Sequence, residues 1–276
     1  MNLHAKQVKE EARFEFGANW ARFLSVLNDE RIEQAKLSLK KMLDVESLAG
    51  RSFLDVGSGS GLFSLAARML GARVHSFDYD PQSVACTNEL KRRYFPDDGS
   101  WAIEQGSVLD NDYLSRLGQF DVVYSWGVLH HTGRMWGALE NVVPLVKPGG
   151  ALFVAIYNDQ GRASRMWFLI KKLYNELPRG LRFLVLVPAF LRLWMPTAVR
   201  DLLLGRPFRT WRTYSAERGM SPWRDVVDWV GGYPFEVARP EQVFDLFRDR
   251  GFTLDRLKTC AGGLGCNEYV FRRDAN

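Results

Sequence analysis

Cysteine is scarce in this chain. Three occur in 276 residues (Cys86, Cys260 and Cys266), an odd number without metal-ligand spacing. That argues against a disulfide-built scaffold or a metal centre, and reduced thiols in a reducing compartment are expected. Charge excess is small too, with 37 basic against 32 acidic residues and a formal net charge of +5. So mild a balance makes nucleic acid an unlikely partner. The opening Met1-Asn2-Leu3-His4-Ala5-Lys6-Gln7 lacks the apolar core of a signal peptide. The longest apolar segment, Phe183 to Leu191, falls short of the ~20 residues that a membrane span needs. A cytoplasmic protein is the expectation. Repeats and low-complexity tracts are absent, and histidines number only four, two of them adjacent as His130-His131.

What is present is an ordinary globular composition, 46% hydrophobic and 25% charged, with ample material for a core. The most informative stretch runs from Phe53 to Gly61: a short apolar run, Asp55, and glycines at 57, 59 and 61. A helical pattern follows from Leu62, so this is a strand, a tight turn and a helix. Glycine is needed where backbone turns at positive φ or approaches a ligand closely. The turn also aims the N–H groups of the following helix at a crevice.

From there strand and helix alternate. Strands are expected at Phe53–Val56, Arg73–Asp78, Trp101–Gln105, Phe120–Ser125 and Ala151–Tyr157, with helices at 62–70, 81–92 and 136–146. Such alternation implies βαβ units, a parallel sheet and right-handed crossovers. After a break at 158–234 come a helix at 240–250 and a hairpin of strands, 252–258 and 268–272, suited to a sheet edge. Residues 1–50 read as helices, with Phe14, Phe16, Trp20, Phe23, Leu24 and Leu27 at helical spacing in a first segment and Ile32, Ala35, Leu39 and Leu43 in a second. They form either a packed cap or a lid, in which Phe16-Gly17-Ala18-Asn19-Trp20 closes over a ligand and brings Phe16 and Trp20 to the substrate.

In an open parallel sheet the ligand sits at the carboxyl ends of the strands, where strand order reverses. Polar residues collect at those ends. Asp55 and the glycines close the first strand, and Asp78 closes the second, with two acceptor oxygens that match two ribose hydroxyls. Ser107-Val108 follow the third strand, where hydroxyl and backbone can read an adenine edge. Trp126-Gly127 follow the fourth, with His130-His131 just beyond, and Tyr157-Asn158-Asp159 follow the fifth.

Residues 50–160 resemble the class I S-adenosylmethionine-dependent methyltransferases. The matching pieces are Leu54–Gly61, Phe77-Asp78, Asp121–Ser125, Leu129-His130-His131 and Leu145–Leu152, which includes Lys147-Pro148-Gly149-Gly150. The resemblance implies an α/β, Rossmann-like, doubly wound sheet of seven mostly parallel strands whose last strand is antiparallel. It implies S-adenosyl-L-methionine as cofactor. The turn of Gly57, Ser58, Gly59 and Gly61 would cradle its methionine part, Asp78 would take its ribose, Tyr79 would lie along its adenine, and the Trp126 backbone would approach its amino group. One departure stands out: many members carry aspartate where this chain has Ser107. The expected domains are a helical cap or lid at 1–50, the cofactor-binding domain at 51–157 and 235–276, and a helical insertion over the active site at 158–234.

Methyl transfer from a sulfonium is an in-line displacement, favoured by orientation and exclusion of water. A hydroxyl acceptor must lose a proton, and His130, with an ordinary pKa near ~6.5 for its type, is the first candidate base. Tyr157 and Asp159 are runners-up as base or substrate anchor. His131 either packs against the turn before Trp136 or faces the substrate, and Asn158 and Asn267 are candidate substrate contacts. The loop between Cys260 and Cys266 reads as a mobile rim, ahead of a redox or metal role. The acceptor is expected to be a small molecule, a glycan or a lipid-linked group. An RNA methyltransferase and a non-catalytic cofactor-binding regulator are the alternatives. The glycine spacing, one residue tighter than G-x-G-x-x-G, disfavours a nicotinamide dehydrogenase.

Three readings stay open for the arginine- and tryptophan-rich insertion: an apolar cover on the sheet, a peripheral membrane contact through 181–214, or a patch for nucleic acid or phosphate.

Overall fold

The computed structural model describes residue 24, residues 27–218 and residues 222–275. Phe16 and Trp20 lie outside the described residues. Two compact units emerge among the described residues, one running from residue 24 to Gly161 and from Glu236 onward, the other containing Arg162–Phe235.

The larger unit is built on a seven-stranded sheet of order β3-β2-β1-β4-β5-β7-β6. Its strands are β1 (Ser52–Val56), β2 (Arg73–Asp78), β3 (Trp101–Gln105), β4 (Phe120–Trp126), β5 (Val146–Tyr157), β6 (Phe252–Lys258) and β7 (Cys266–Arg273). Neighbours from β3 to β5 pair in parallel, while β7 runs antiparallel between β5 and β6. The final hairpin thus sits at the sheet edge with its second strand turned inward. Six helices accompany the strands among the described residues: α1 (Asp29–Leu43), α2 (Leu62–Met69), α3 (Pro81–Tyr94), α4 (Asn111–Leu117), α5 (Met135–Val142) and, late in the chain, the expected helix at Pro240–Arg248.

Both faces of the sheet are covered, so its central strands are apolar throughout. On β5, Leu152, Val154 and Ile156 join Leu54, Val123, Leu139 and Phe247 in one core. Ala151 and Phe153 alternate to the other face, with Phe53, Val74, Leu39 and Leu65. Helix α1 carries the expected stripe of Ile32, Ala35, Leu39 and Leu43, and the Asn28 side chain caps it.

Helix α4 was not expected. It is seven residues long, with only Tyr113 and Leu114 buried, and its signal is the cap: Asp110 Oδ1 accepts from the Tyr113 N–H at 3.0 Å. The helix expected at 136–146 ends at Val142 and passes through a 3₁₀ turn into a longer β5. The Lys147–Gly150 stretch proves to be a joint at the amino ends of the strands, far from the crevice. Asp121 Oδ2 accepts from Ser52 N (2.7 Å), Ser52 Oγ (2.6 Å) and Lys147 Nζ (2.9 Å). Burial would raise the Asp121 pKa, but these donors hold it down at about 2. A Cβ on Gly150 would stand 2.9 Å from the Lys147 carbonyl and 3.1 Å from that of Asp121, which is why glycine is needed there.

The smaller unit is helical: α6 (Arg162–Glu176), α7 (Phe183–Leu203), α8 (Arg209–Arg218) and α9 (Pro222–Gly231). The segment Arg179–Leu203, 25 residues, is long and apolar enough to cross a membrane by length and composition. This corrects the expectation drawn from the run Phe183–Leu191: Arg192 ends the unbroken run but not the helix.

Lys171 is wholly buried in this unit. Its ammonium donates to the Trp229 carbonyl and lies 4.3 Å and 4.7 Å from the Trp229 and Phe235 ring centroids. Burial lowers its pKa from 10.5 to about 7. A base depressed in the folded state is stabilising when neutral, so stability falls as pH drops from about 10.5 to 7 and is flat below. Lys171→Met is expected to melt several degrees higher than wild type at pH 7, with the gap closing toward pH 10. Melts of both proteins at the two pH values check this, and a gap that does not depend on pH contradicts it.

Candidate functional site

Strand order reverses between β1 and β4, both of which are followed at their carboxyl ends by glycine. After β1 the backbone turns through Gly57 (φ 79), Gly59 (φ 55) and Gly61 (φ 81), a conformation that side chains resist. The turn is stitched to β2, since the Gly57 and Ser58 N–H groups donate to the Phe77 carbonyl at 2.9 and 3.1 Å. A Cβ on Gly57 would stand 2.4 Å from Val128 Cγ1, and one on Gly61 would stand 2.9 Å from Thr87 Cα. Gly61 caps α2 without a side-chain hydrogen bond, so the positive end of that short helix adjoins the turn.

Asp78 joins this turn to the next strand. Its Oδ2 accepts from the Gly59 N–H and its Oδ1 from the Asp80 N–H, each at 2.9 Å. These two backbone donors fix the orientation of a carboxylate whose two oxygens match a pair of hydroxyl donors. Tyr79 follows, half-buried, with its carbonyl accepting from Gln105 Nε2 at 3.1 Å. After β3, Ser107 Oγ accepts from the Leu109 N–H, and the Val108 carbonyl accepts from Asn141 Nδ2 at 2.9 Å. The Ser107-Val108 turn is thereby held in place at the same end of the sheet.

Asp55 lies beneath the turn. It is 2% exposed, and Ser64 Oγ donates to its Oδ2 at 2.5 Å. Ser76 Oγ lies 2.7 Å from Ser64 Oγ and accepts from Trp101 Nε1 at 2.9 Å. With Ser64 donating to Asp55, Ser76 must donate to Ser64, so a relay of donors converges on one carboxyl. Burial raises the Asp55 pKa to about 7 against that hydrogen bond. Asp55 supports the crevice from below, through α2. Ser58 does likewise, its Oγ lying 3.0 Å from Thr87 Oγ1 on α3.

Trp126 ends β4 with an exposed indole, and Ser125 Oγ ties that strand end to the Val56 carbonyl at 2.9 Å. Beyond it, Leu129–His131 form a single 3₁₀ turn. Three rings meet there: the His130 ring lies 3.9 Å from that of Tyr157 and 4.5 Å from that of His131, and His131 meets Tyr157 edge-on at 5.4 Å. His130 is 0% exposed, and its Nδ1 faces the Tyr157 N–H at 3.4 Å. Tyr157 and His131 thus both pack on the His130 ring.

The end of β5 is knitted to the loops beside it. Asn267 Nδ2 donates to Asn158 Oδ1 at 3.0 Å, while Asn267 Oδ1 accepts from the Cys260 N–H at 3.1 Å. Asp159 Oδ1 accepts from the Gly161 N–H at 2.8 Å. Asn158 and the buried Asn267 are thus joined directly, while Asp159 is tied to its own turn beside them. Glu236, which sequence reasoning missed, belongs to the same region. Its carboxylate accepts from the Met135 N–H at 2.9 Å at the start of α5, and its N–H donates to the His130 carbonyl at 3.0 Å. Burial raises its pKa above the usual carboxylate range. Its partners lie about 100 residues away in the chain, so no local pattern announces it. No cluster of His, Cys, Asp and Glu suited to a metal occurs among the described residues.

Comparison with known proteins agrees with this geometry. A family profile described as a methyltransferase domain matches residues 54–152. The tRNA U34 carboxymethyltransferase of Methylococcus capsulatus is 33% identical over 123 residues, covering 44% of this chain and 37% of that protein. The ubiquinone biosynthesis O-methyltransferase of Xanthomonas euvesicatoria is 27% identical over 194 residues, covering 68% of this chain and 77% of that one. This chain thus spans well under half the length of the first relative and about three quarters of the second. Among solved structures, magnesium protoporphyrin IX methyltransferase from Synechocystis with bound S-adenosylhomocysteine superposes with a TM-score of 0.53. That pair is 12% identical and covers 88% of this chain and 83% of the other. An O-methyltransferase family protein from Burkholderia thailandensis gives 0.55 at 13% identity, over 90% and 58%. These two likenesses speak for the fold alone.

Proposed function

Since this chain belongs to the class I S-adenosylmethionine-dependent methyltransferases and takes that cofactor, we propose that it methylates a hydroxyl of a small-molecule, glycan or lipid-linked acceptor. The observation that carries the reading is the turn of positive-φ glycines fixed to Asp78, with a polar rim at the neighbouring strand ends. The residues present fit the cofactor. The positive-φ turn at Gly57, Gly59 and Gly61 presents bare backbone to a bound chain, Asp78 offers acceptors to a ribose, and Tyr79 with Ser107-Val108 flanks an adenine. When bound, the cofactor supplies a methyl group activated on a cationic sulfur.

The chain's own work is to orient the acceptor, exclude water and accept a proton. Asn158, Asn267 and Asp159 are the orienting groups of this reading, and His130 is its base. Because His130 is fully buried, proton transfer requires the packing around its ring to open when the acceptor binds. Relatives named for ubiquinone biosynthesis O-methylation support a hydroxyl acceptor.

The test is to incubate the purified protein with methyl-labelled cofactor and with separated small-molecule, lipid and RNA fractions of a cell extract. Label in a small-molecule or lipid fraction, stable as an ether, is expected. Label confined to RNA favours the second reading, which the carboxymethyltransferase relative motivates. With an acceptor in hand, His130→Gln is expected to lower kcat ~100-fold or more and to remove the acid limb of the pH profile. An unchanged profile, with only stability lowered, assigns His130 to packing.

A further inference from the structure

Helix α7 carries apolar side chains on two faces. Leu186 and Ala189 are buried within its own unit, while Phe190 and Trp194 meet Trp211 of α8 edge-on. On the opposite side Leu184, Val187, Leu191, Met195, Val199 and Leu202 follow one another at three- and four-residue steps, and each is 44–65% exposed. That spacing draws a single stripe along the helix. The stripe ends in an apolar tip, where Leu203 is 81% exposed, Leu204 65% and Phe208 63%. Phe208 is held at φ 59, a costly conformation for a bulky residue. The tip is a fixed one: buried Asp201 accepts from the Thr210 N–H and hydroxyl, each at 2.8 Å, and its carbonyl accepts from the Arg206 N–H at 2.9 Å.

The charge beside this stripe has one sign. Between residues 179 and 212 lie arginines at 179, 182, 192, 200, 206, 209 and 212, against the single carboxylate of Asp201. Arg200, Arg206 and Arg209 line a cavity of about 250 Å³ at the tip, together with Asp201, Leu204, Thr210 and Thr213. An exposed apolar stripe flanked by guanidinium groups matches the boundary of an anionic bilayer, where the stripe meets acyl chains and the arginines meet phosphates. A second copy of the chain would bring two arginine rows together, and a nucleic acid would leave the stripe uncovered. Spanning is disfavoured as well, since Arg192 sits mid-helix and one face is already packed on protein.

We propose that α7 and the α7–α8 tip dock this protein on an anionic phospholipid surface, lying in the plane of the interface, with Leu203 and Phe208 inserted and a lipid phosphate in the Arg200–Arg206–Arg209 cavity. The reading stands apart from the choice of acceptor, and cofactor binding is measured on the same samples to keep the two separate.

The test is flotation of the full chain with vesicles of phosphatidylcholine alone and of phosphatidylcholine with roughly one quarter phosphatidylglycerol. Binding to the anionic vesicles is expected, released by alkaline carbonate. The double variant Leu203→Glu/Phe208→Glu should partition at least ~10-fold more weakly while keeping its melting temperature and its S-adenosylhomocysteine affinity. Arg206→Gln/Arg209→Gln should lose the preference for anionic vesicles. Four results overturn the proposal: no binding to anionic vesicles, equal binding by the double variant, resistance to alkaline extraction, or a dimer that the double variant converts to monomer.

Discussion

Asp78→Ala is expected to weaken S-adenosylhomocysteine binding by at least ~100-fold, because each hydrogen bond to a charged group contributes about 1.5–3 kcal/mol and two ribose hydroxyls lose theirs. The structure adds a second cost. Asp78 also receives the Gly59 and Asp80 N–H groups, so the variant loosens the glycine turn and the start of α3. Asp78→Asn separates the two effects. It keeps one carbonyl oxygen for the backbone but turns an NH₂ toward the other donor, so binding should fall less than in the alanine variant. Titration calorimetry of the three proteins checks the order. An alanine variant within about threefold of wild type would remove Asp78 from the cofactor site.

Gly61→Ala should both destabilise the larger unit and abolish binding. At φ 81 a side chain adds about 1–2 kcal/mol of backbone strain. Its Cβ would also stand 2.9 Å from Thr87 Cα, which belongs to the backbone of α3 and cannot rotate away. Either α3 retreats, breaking the contact between Thr87 and Ser58, or the turn opens. Gly50→Ala is the matched control, with φ 75 and nothing within 4 Å of its Cβ. Urea unfolding should show Gly61→Ala losing about 3 kcal/mol or more, and Gly50→Ala about 1 kcal/mol with normal binding. Equal losses in the two variants would mean that the approach to Thr87 imposes no constraint.

Much of this site was legible in the chain because parallel sheets place their ligands at strand ends, and strand ends can be read. Asp78 and the glycines stand where alternation of strand and helix put them. What escaped the sequence depended on partners remote in the chain. Glu236 reaches Met135, and Asp121 gathers Ser52 and Lys147. The Lys147–Gly150 stretch was recognisable as a family feature, yet its cause is the close approach of two carbonyls to Gly150. Asp55 looked like part of the crevice from its place at a strand end, but strand alternation turns its carboxyl inward to Ser64. His130 was legible as a histidine at the right strand end, whereas its packing against Tyr157 was not. The length of α7 was hidden by Arg192, a residue that breaks an apolar run without breaking a helix.

The crevice between β1 and β4 is the proposed S-adenosylmethionine site. Calorimetric titration of the unaltered protein with S-adenosylhomocysteine tests it most directly. A saturable one-to-one isotherm with micromolar affinity, lost in Asp78→Ala and Gly61→Ala but kept in Gly50→Ala, is the predicted result. Absence of binding up to ~1 mM ligand, or binding indifferent to all three substitutions, would contradict it.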